Sequence, residues 1–260
     1  MNNKDFPTGR GIGIAFLDTG ISPHGDFIKP ANRLLGFKDC VGGRTKAYDD
    51  NGHGTHVAGI ACGSGYMSNG RYQGVAPEAL IIGVKILDKN GRGNYASAIA
   101  GLSWVMENRR RYNIRIVNMS IGIEDRLIPQ MLMNAIAAVQ SAGIVCVAAY
   151  GNPGSGTRNL SPDIINVVCS EDVRPGSRLP EDIFTASGHD VISCMSPDFS
   201  FHTDNRSRDK IVDKFYVRMS GSSMATPKIS GLCALLLEQD PRLTPRELKE
   251  ILRAAGQSYL

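Results

Sequence analysis

Short apolar runs rich in β-branched residues recur along the chain at Ile12–Leu17, Leu80–Leu87, Ile114–Met119, Ile144–Ala149 and Ile164–Cys169. Their length, and the lack of polar alternation within them, predict strands buried on both faces. Between them the apolar spacing changes to the helical period. Tyr95–Arg111 places Tyr95, Ala98, Ile99, Leu102, Val105 and Met106 on one face. Ile128–Ala142 does the same with Leu132, Ala135, Ile136 and Val139, and Gly143 stands where a helix needs a left-handed residue to end. Near the C-terminus Thr244, Pro245 and Glu247 form a capping box that opens a helix, which Gly256 closes. Strand alternating with helix predicts an α/β fold, a three-layer α/β/α sandwich around a mainly parallel central sheet. Glu171–Phe215 is polar, carries Pro, Asp and Arg, and follows neither period.

The 260 residues suit one domain over 1–260, with 171–215 as its irregular part. Composition changes this picture little. The formal net charge is only +4, and the densest basic run, Arg109-Arg110-Arg111, closes a predicted helix, where cations favour the dipole. No nucleic-acid partner is therefore expected. No stretch approaches the ~18 apolar residues of a membrane span, and Met1–Arg10 is too polar for a secretory core, so no membrane partner is expected and a cytoplasmic location is, or an extracellular one where a leader has been removed. The six cysteines show neither CxxC nor zinc-type spacing, and three of them lie in apolar runs, which predicts reduced thiols. The 29 glycines matter more, because they imply tight turns and close backbone approaches.

In parallel sheets, sites gather beyond the carboxyl ends of strands. Asp18, Ser120 and the pair Gly151-Asn152 each follow a predicted strand, so polar groups should collect along one sheet edge. The stretch Asp49–Gly59 (DDNGHGTHVAG) crowds glycines around His53 and His56 at the start of a helix, as if something approaches closely. Gly221-Ser222-Ser223-Met224-Ala225-Thr226-Pro227 opens a helix that is apolar all round to Leu237, with Pro227 expected near its first turn. Ser223 then sits where free backbone N–H groups and the helix dipole favour a developing negative charge.

Asp18-Thr19-Gly20, His53-Gly54-Thr55-His56 and the block around Ser223 resemble, in this order, the three signature blocks of subtilisin-like serine proteases. Asp49–Gly59 and Gly74-Val75-Ala76-Pro77 look most like intracellular subtilisins. The resemblance implies a subtilisin-like fold and a serine endopeptidase acting through an acyl-enzyme on Ser223. His53 would be the general base and then the acid, and Asp18 would hold its tautomer. Asn152 would complete the oxyanion hole with the Ser223 N–H, and His56 would be structural. Gly91-Arg92-Gly93 and Ser120-Ile121-Gly122 resemble the two edges that sandwich an extended substrate; Ala149 and Tyr150 would line the primary pocket. No acid is evident there, which implies a broad or apolar preference. The resemblance requires no cofactor. It leaves calcium open, because Asp26 resembles a calcium ligand while the loop Gly65–Gly74 is short and poor in carboxylates. The partners implied are polypeptide substrates, with an inhibitory pro-segment or an inhibitor protein as further candidates.

Two departures stand out. Tyr150 replaces a small residue, and Thr185-Ala186-Ser187-Gly188 resembles an Ala-Pro-Gly turn without its proline, with a Ser-rich strand missing upstream. Three rival readings are weaker. A zinc hydrolase built on Asp18, His53 and His56 lacks the glutamate beside its histidine. A non-catalytic scaffold would not need three intact blocks. A nucleotide site at Gly9-Arg10-Gly11-Ile12-Gly13 puts the glycines before the strand instead of after it.

Overall fold

The computed structural model describes residues 6–121, 129–150, 164–176, 178–180, 182–199 and 210–256. In chain order its strands are β1 (Gly13–Asp18), β2 (Leu34–Asp39), β3 (Leu80–Lys85), β4 (Ile114–Met119), β5 (Val145–Ala149), β6 (Ile165–Cys169), β7 (Ile183–Ala186), β8 (Val191–Cys194) and β9 (Tyr216–Met219). The helices are α1 (Gly25–Ile28), α2 (His53–Cys62), α3 (Tyr95–Asn108), α4 (Gln130–Ser141), α5 (Ser222–Gln239) and α6 (Pro245–Gly256).

Seven strands form one parallel sheet in the order β2-β3-β1-β4-β5-β6-β7. The five strands expected from apolar runs are all in it. β2 escapes a periodicity reading because its burial is mixed, with Leu35 exposed. Alternate residues of each strand enter two separate cores. Ile14, Phe16 and Ile81 pack with α2, α5 and α6, whereas Ala15, Leu17 and Ile82 pack with α3 and α4. Three layers result, as the alternation of elements requires.

Two short strands, β7 and β8, lie within the stretch where no pattern was legible. β7 extends the sheet edge, and β8 pairs antiparallel with β9 outside it. Thr244 and Glu247 close a reciprocal capping box on α6, with Glu247 Oε2 accepting from Thr244 N–H at 2.8 Å. Gly143 has φ +80° just past the C-cap of α4.

Pro227 departs from expectation. It lies in the second turn of α5, so it leaves the Ser223 carbonyl without the N–H that a helix normally supplies. The turn survives because Met224 N–H bonds Gly221 O at 2.9 Å and Thr226 Oγ1 donates to Ser222 O at 2.7 Å.

The strand order turns at β1, with β3 on one side and β4 on the other. The crevice beyond the carboxyl ends of β1 and β4 is therefore the switch point where sheets of this kind hold ligands.

Candidate active site

Asp18 is the last residue of β1, not the residue after it, and is fully buried. Its Oδ1 accepts from Thr19 N–H at 2.7 Å and meets His53 Nδ1 at 2.8 Å. His53 is the first residue of α2, whose N-cap Gly52 takes φ +103°. Gly54 makes this approach feasible: a Cβ there would run into the Gly20 carbonyl and stand 3.1 Å from Asp18 Cβ.

One carboxylate fastens the end of β1 to the start of α2. Asp49 Oδ1 accepts from Thr19 Oγ1 (2.8 Å), Asn51 N–H (3.1 Å) and Gly52 N–H (2.8 Å). Its Oδ2 accepts from Thr55 N–H (2.9 Å) and Thr55 Oγ1 (2.7 Å), and Thr19 Oγ1 in turn accepts from Gly54 N–H at 2.9 Å. The Gly52, Gly54 and Thr55 N–H groups among these donors are ones that a helix start leaves orphaned. Lys85 adds a second fastening. It is buried at the end of β3 and donates to Thr19 O, Leu87 O and Asp50 Oδ1 at 2.7–2.8 Å. Sequence reasoning assigned neither Asp49 nor Lys85 a role. A lysine inside the apolar run Leu80–Leu87 was the available signal.

Burial alone would make His53 less basic, but the Asp18 carboxylate outweighs it through charge and hydrogen bond, and Asp49 adds to it. The net effect raises the imidazole above its ordinary value. The ring is only partly covered, with 26% of the side chain exposed.

Ser223 is the second residue of α5, with Gly221 at the N-cap holding φ +134°. Ser222 Oγ accepts from Cys169 N–H at 3.1 Å, and Gly221 N–H bonds Gly188 O at 2.9 Å, which anchors the turn to the ends of β6 and β7. The Ser223 hydroxyl donates to Ser120 O, just past β4, at 2.9 Å. A continuous row of carboxylate, imidazole and hydroxyl was the expectation. The Asp18–His53 link is closed, while the serine hydroxyl has turned to the strand-end carbonyl, which offers a ready acceptor. Ser120 is itself braced, since its Oγ accepts from Asn118 Nδ2 at 2.9 Å and Asn118 Oδ1 accepts from Ser230 of α5 at 2.9 Å.

A cleft of about 770 Å³ runs from His53. Gly91, Arg92 and Gly93 form one wall and Ser120 and Ile121 another, with Tyr95 and Leu132 among the apolar groups between them. An antiparallel bridge from Leu87 to Gly93 stiffens the first wall. Ala149 and Tyr150, expected in a primary pocket, are not part of this cleft's lining; Tyr150 N–H bonds Val167 O at 2.8 Å. Gly122 and Asn152 lie outside the described residues.

His56 does not join the site. Its Nε2 faces the Val191 and Val217 carbonyls at 3.0 and 3.1 Å, so it donates there and stitches β8 and β9 to α2. That disposes of a zinc centre shared with His53.

Asp26 does not fit calcium. It is fully buried in α1, with Met67 N–H at 2.9 Å on Oδ1, Tyr216 O–H at 2.8 Å on Oδ2 and the Cys194 thiol at 3.7 Å. Calcium needs a shell of oxygen acceptors, whereas these neighbours are donors and a sulfur.

A profile described as Peptidase S8, Subtilase family, matches residues 9–258. Serine protease AprX of Bacillus subtilis (strain 168) is 38% identical over an alignment of 284 residues, taking in 97% of this chain and 63% of that protein. The major intracellular serine protease of the same strain is 33% identical over 93% of this chain and 73% of its own length. Among solved structures, a cold-adapted subtilisin-like serine proteinase superposes with a TM-score of 0.75 at 28% identity, covering 97% of this chain and 85% of its own. The chain thus spans less than two thirds of AprX while matching over nearly its own whole length. On that breadth of likeness, the chain belongs to the subtilase family.

Proposed function

We propose that this chain is a serine endopeptidase, a single peptidase domain over 1–260 that hydrolyses polypeptides through an acyl-enzyme on Ser223. One observation carries the reading: a buried carboxylate holds at 2.8 Å an imidazole that lines a cleft of about 770 Å³, with a helix-start serine bonded to the cleft wall. The relatives' names, each a protease, support it.

A substrate strand would lie between Gly91–Gly93 and Ser120–Ile121, with Gly122 assigned to the second edge. Rotation of the Ser223 side chain carries its hydroxyl from Ser120 O towards His53 Nε2. The imidazole, its Nδ1–H held by Asp18, accepts the proton as Oγ attacks the carbonyl carbon. It then returns that proton to the leaving amine. Charge on the tetrahedral oxygen develops at the α5 N-terminus, where the Ser223 N–H and the Asn152 amide are the assigned donors. Water repeats the cycle on the acyl-enzyme. No step needs a metal.

Ala149 and Tyr150 are assigned to a primary pocket of broad or apolar preference. An inhibitory pro-segment or inhibitor protein would occupy the same cleft as substrate. A cytoplasmic location is the reading supported by six free cysteines, five of them buried, because secreted chains tend to pair theirs. No helix among the described residues is long and apolar enough to cross a membrane.

The test is fluorophosphonate labelling of the folded protein, with peptide mapping and casein hydrolysis in parallel. The expected result is one adduct, on Ser223, with labelling and hydrolysis both lost in Ser223→Ala. An unlabelled wild type, or a Ser223→Ala protein as active as its parent, would refute the assignment.

A further inference from the structure

Behind the Ser223 turn lies a cluster that the proposed chemistry does not use. Cys169 ends β6 and is fully buried. Asp172 follows in a 3₁₀ turn over Ser170–Asp172, and His189 sits between β7 and β8. A ligand atom from each of the three, thiol sulfur, carboxylate oxygen and imidazole nitrogen, lies within 4.8 Å of the other two. His189 Nε2 and Asp172 Oδ1 are already 2.8 Å apart, with side chains 46% and 26% exposed. The sulfur thus closes the inner side while the outer side stays open to solvent. Glu171 frames the cluster, its Oε2 accepting from the Cys169 thiol at 3.0 Å, Ser170 Oγ at 2.9 Å and Gly188 N–H at 3.0 Å.

We propose that Cys169, Asp172 and His189 form a divalent-cation site for zinc or a similar borderline-soft ion, with solvent completing its coordination. The donor set decides the ion. Sulfur, nitrogen and a single carboxylate suit zinc or cobalt, whereas calcium and magnesium take oxygen. The geometry is close to what is needed. Zinc bonds of about 2.0–2.3 Å put tetrahedral ligand atoms about 3.4–3.6 Å apart, which side-chain rotation can reach from the observed spacing. On binding, the ion takes the place of the proton between His189 Nε2 and Asp172, the imidazole shifts to its Nδ1–H tautomer, and the thiol proton leaves to solvent. One proton is released per ion, so affinity rises with pH.

A second triplet, His24, Asp26 and Cys194, is also compact, but it is closed. All three residues are buried, both Asp26 oxygens hold protein donors, and both His24 nitrogens are engaged, Nδ1 by Asp26 N–H and Nε2 by Phe215 O. The Cys169 cluster has the open approach that this one lacks.

The position gives the ion a route to the turn before Ser223. Cys169 N–H holds Ser222 Oγ, and Gly188 O, next to His189, holds Gly221 N–H. An ion that draws residues 169 and 189 together therefore acts on both anchors of that turn.

The binding claim is independent of the protease reading, and its test needs no turnover. Full-length Ser223→Ala protein, which cannot digest itself under that reading, is titrated with cobalt(II) and then zinc. The expected result is a thiolate-to-cobalt charge-transfer band that saturates at one equivalent, is bleached by zinc, and accompanies release of one proton. Cys169→Ser should abolish the band. His189→Gln, a change at a half-exposed side chain, should weaken binding at least about 10-fold. Cys194→Ser should leave it intact. A parent without the band overturns the site. So does a band that survives both Cys169→Ser and His189→Gln, or one that disappears in Cys194→Ser. Should Cys169→Ser fail to fold, the His189→Gln and Cys194→Ser titrations decide alone.

Discussion

His56 should set part of the protein's sensitivity to acid. It is fully buried in α2, one turn from His53, and its Nε2–H already serves two carbonyls. A second proton would go to Nδ1, which is buried and has no hydrogen-bond partner among the described residues. Burial first, and then the nearby His53, push this imidazole down to about 3 from 6.5, against the smaller pull of the two carbonyls. A group held below its unfolded value contributes stability that is full above the unfolded value and is lost as pH falls towards the folded one. The loss therefore falls between about pH 6.5 and 3. At 1.36 kcal/mol per unit of separation, it reaches about 2 kcal/mol at pH 5 and about 3 kcal/mol at pH 4. His53 works in the opposite sense. Its raised value adds stability at low pH that is lost as pH rises through that value. His53 is unchanged in the comparison that follows. Urea unfolding of Ser223→Ala protein, with and without His56→Asn, should show the stability gap between the two narrowing by about 2 kcal/mol from pH 7 to pH 5, since His53 and the buried His24 act on both profiles. Absolute stability will fall in His56→Asn; the readout is the slope. Parallel pH profiles would refute the reasoning, as would a His56 ring resonance that titrates near pH 6 in the folded protein.

Asp18→Asn removes the charge that holds His53 above its ordinary value, so the acid limb of the pH–rate profile should move to lower pH while kcat falls by about 10⁴-fold; an unmoved limb would show that another group sets it. Gly54→Ala should cost about 1–3 kcal/mol and most phosphonate reactivity, because the new Cβ meets the Gly20 carbonyl beside Asp18; unchanged melting and labelling would mean that the approach of α2 to β1 is looser than described.

Much of this protein is settled by the chain as a string. The five apolar runs are strands because nothing but a doubly covered sheet buries residues such as those of Ile114–Met119 on both faces. The capping box at Thr244 and the glycine at 143 are local decisions, made by atoms a few residues apart. Asp18, His53 and Ser223 were legible as candidates because each sits in a distinctive block at an element end. What the string did not determine are relations between distant segments. β2 and β7 are strands because neighbours offer them a ladder, not because their own pattern demands it. Asp49 acquires its role only when the end of β1 and the start of α2 meet around it. The direction of the Ser223 hydroxyl depends on the Ser120 carbonyl, 103 residues away. Cys169 and His189 likewise become neighbours only when β7 joins β6. Periodicity and capping are short-range physics that a sequence carries openly. Hydrogen-bond partners and ligand sets are fixed by which surfaces come to share space, and only the folded chain decides that.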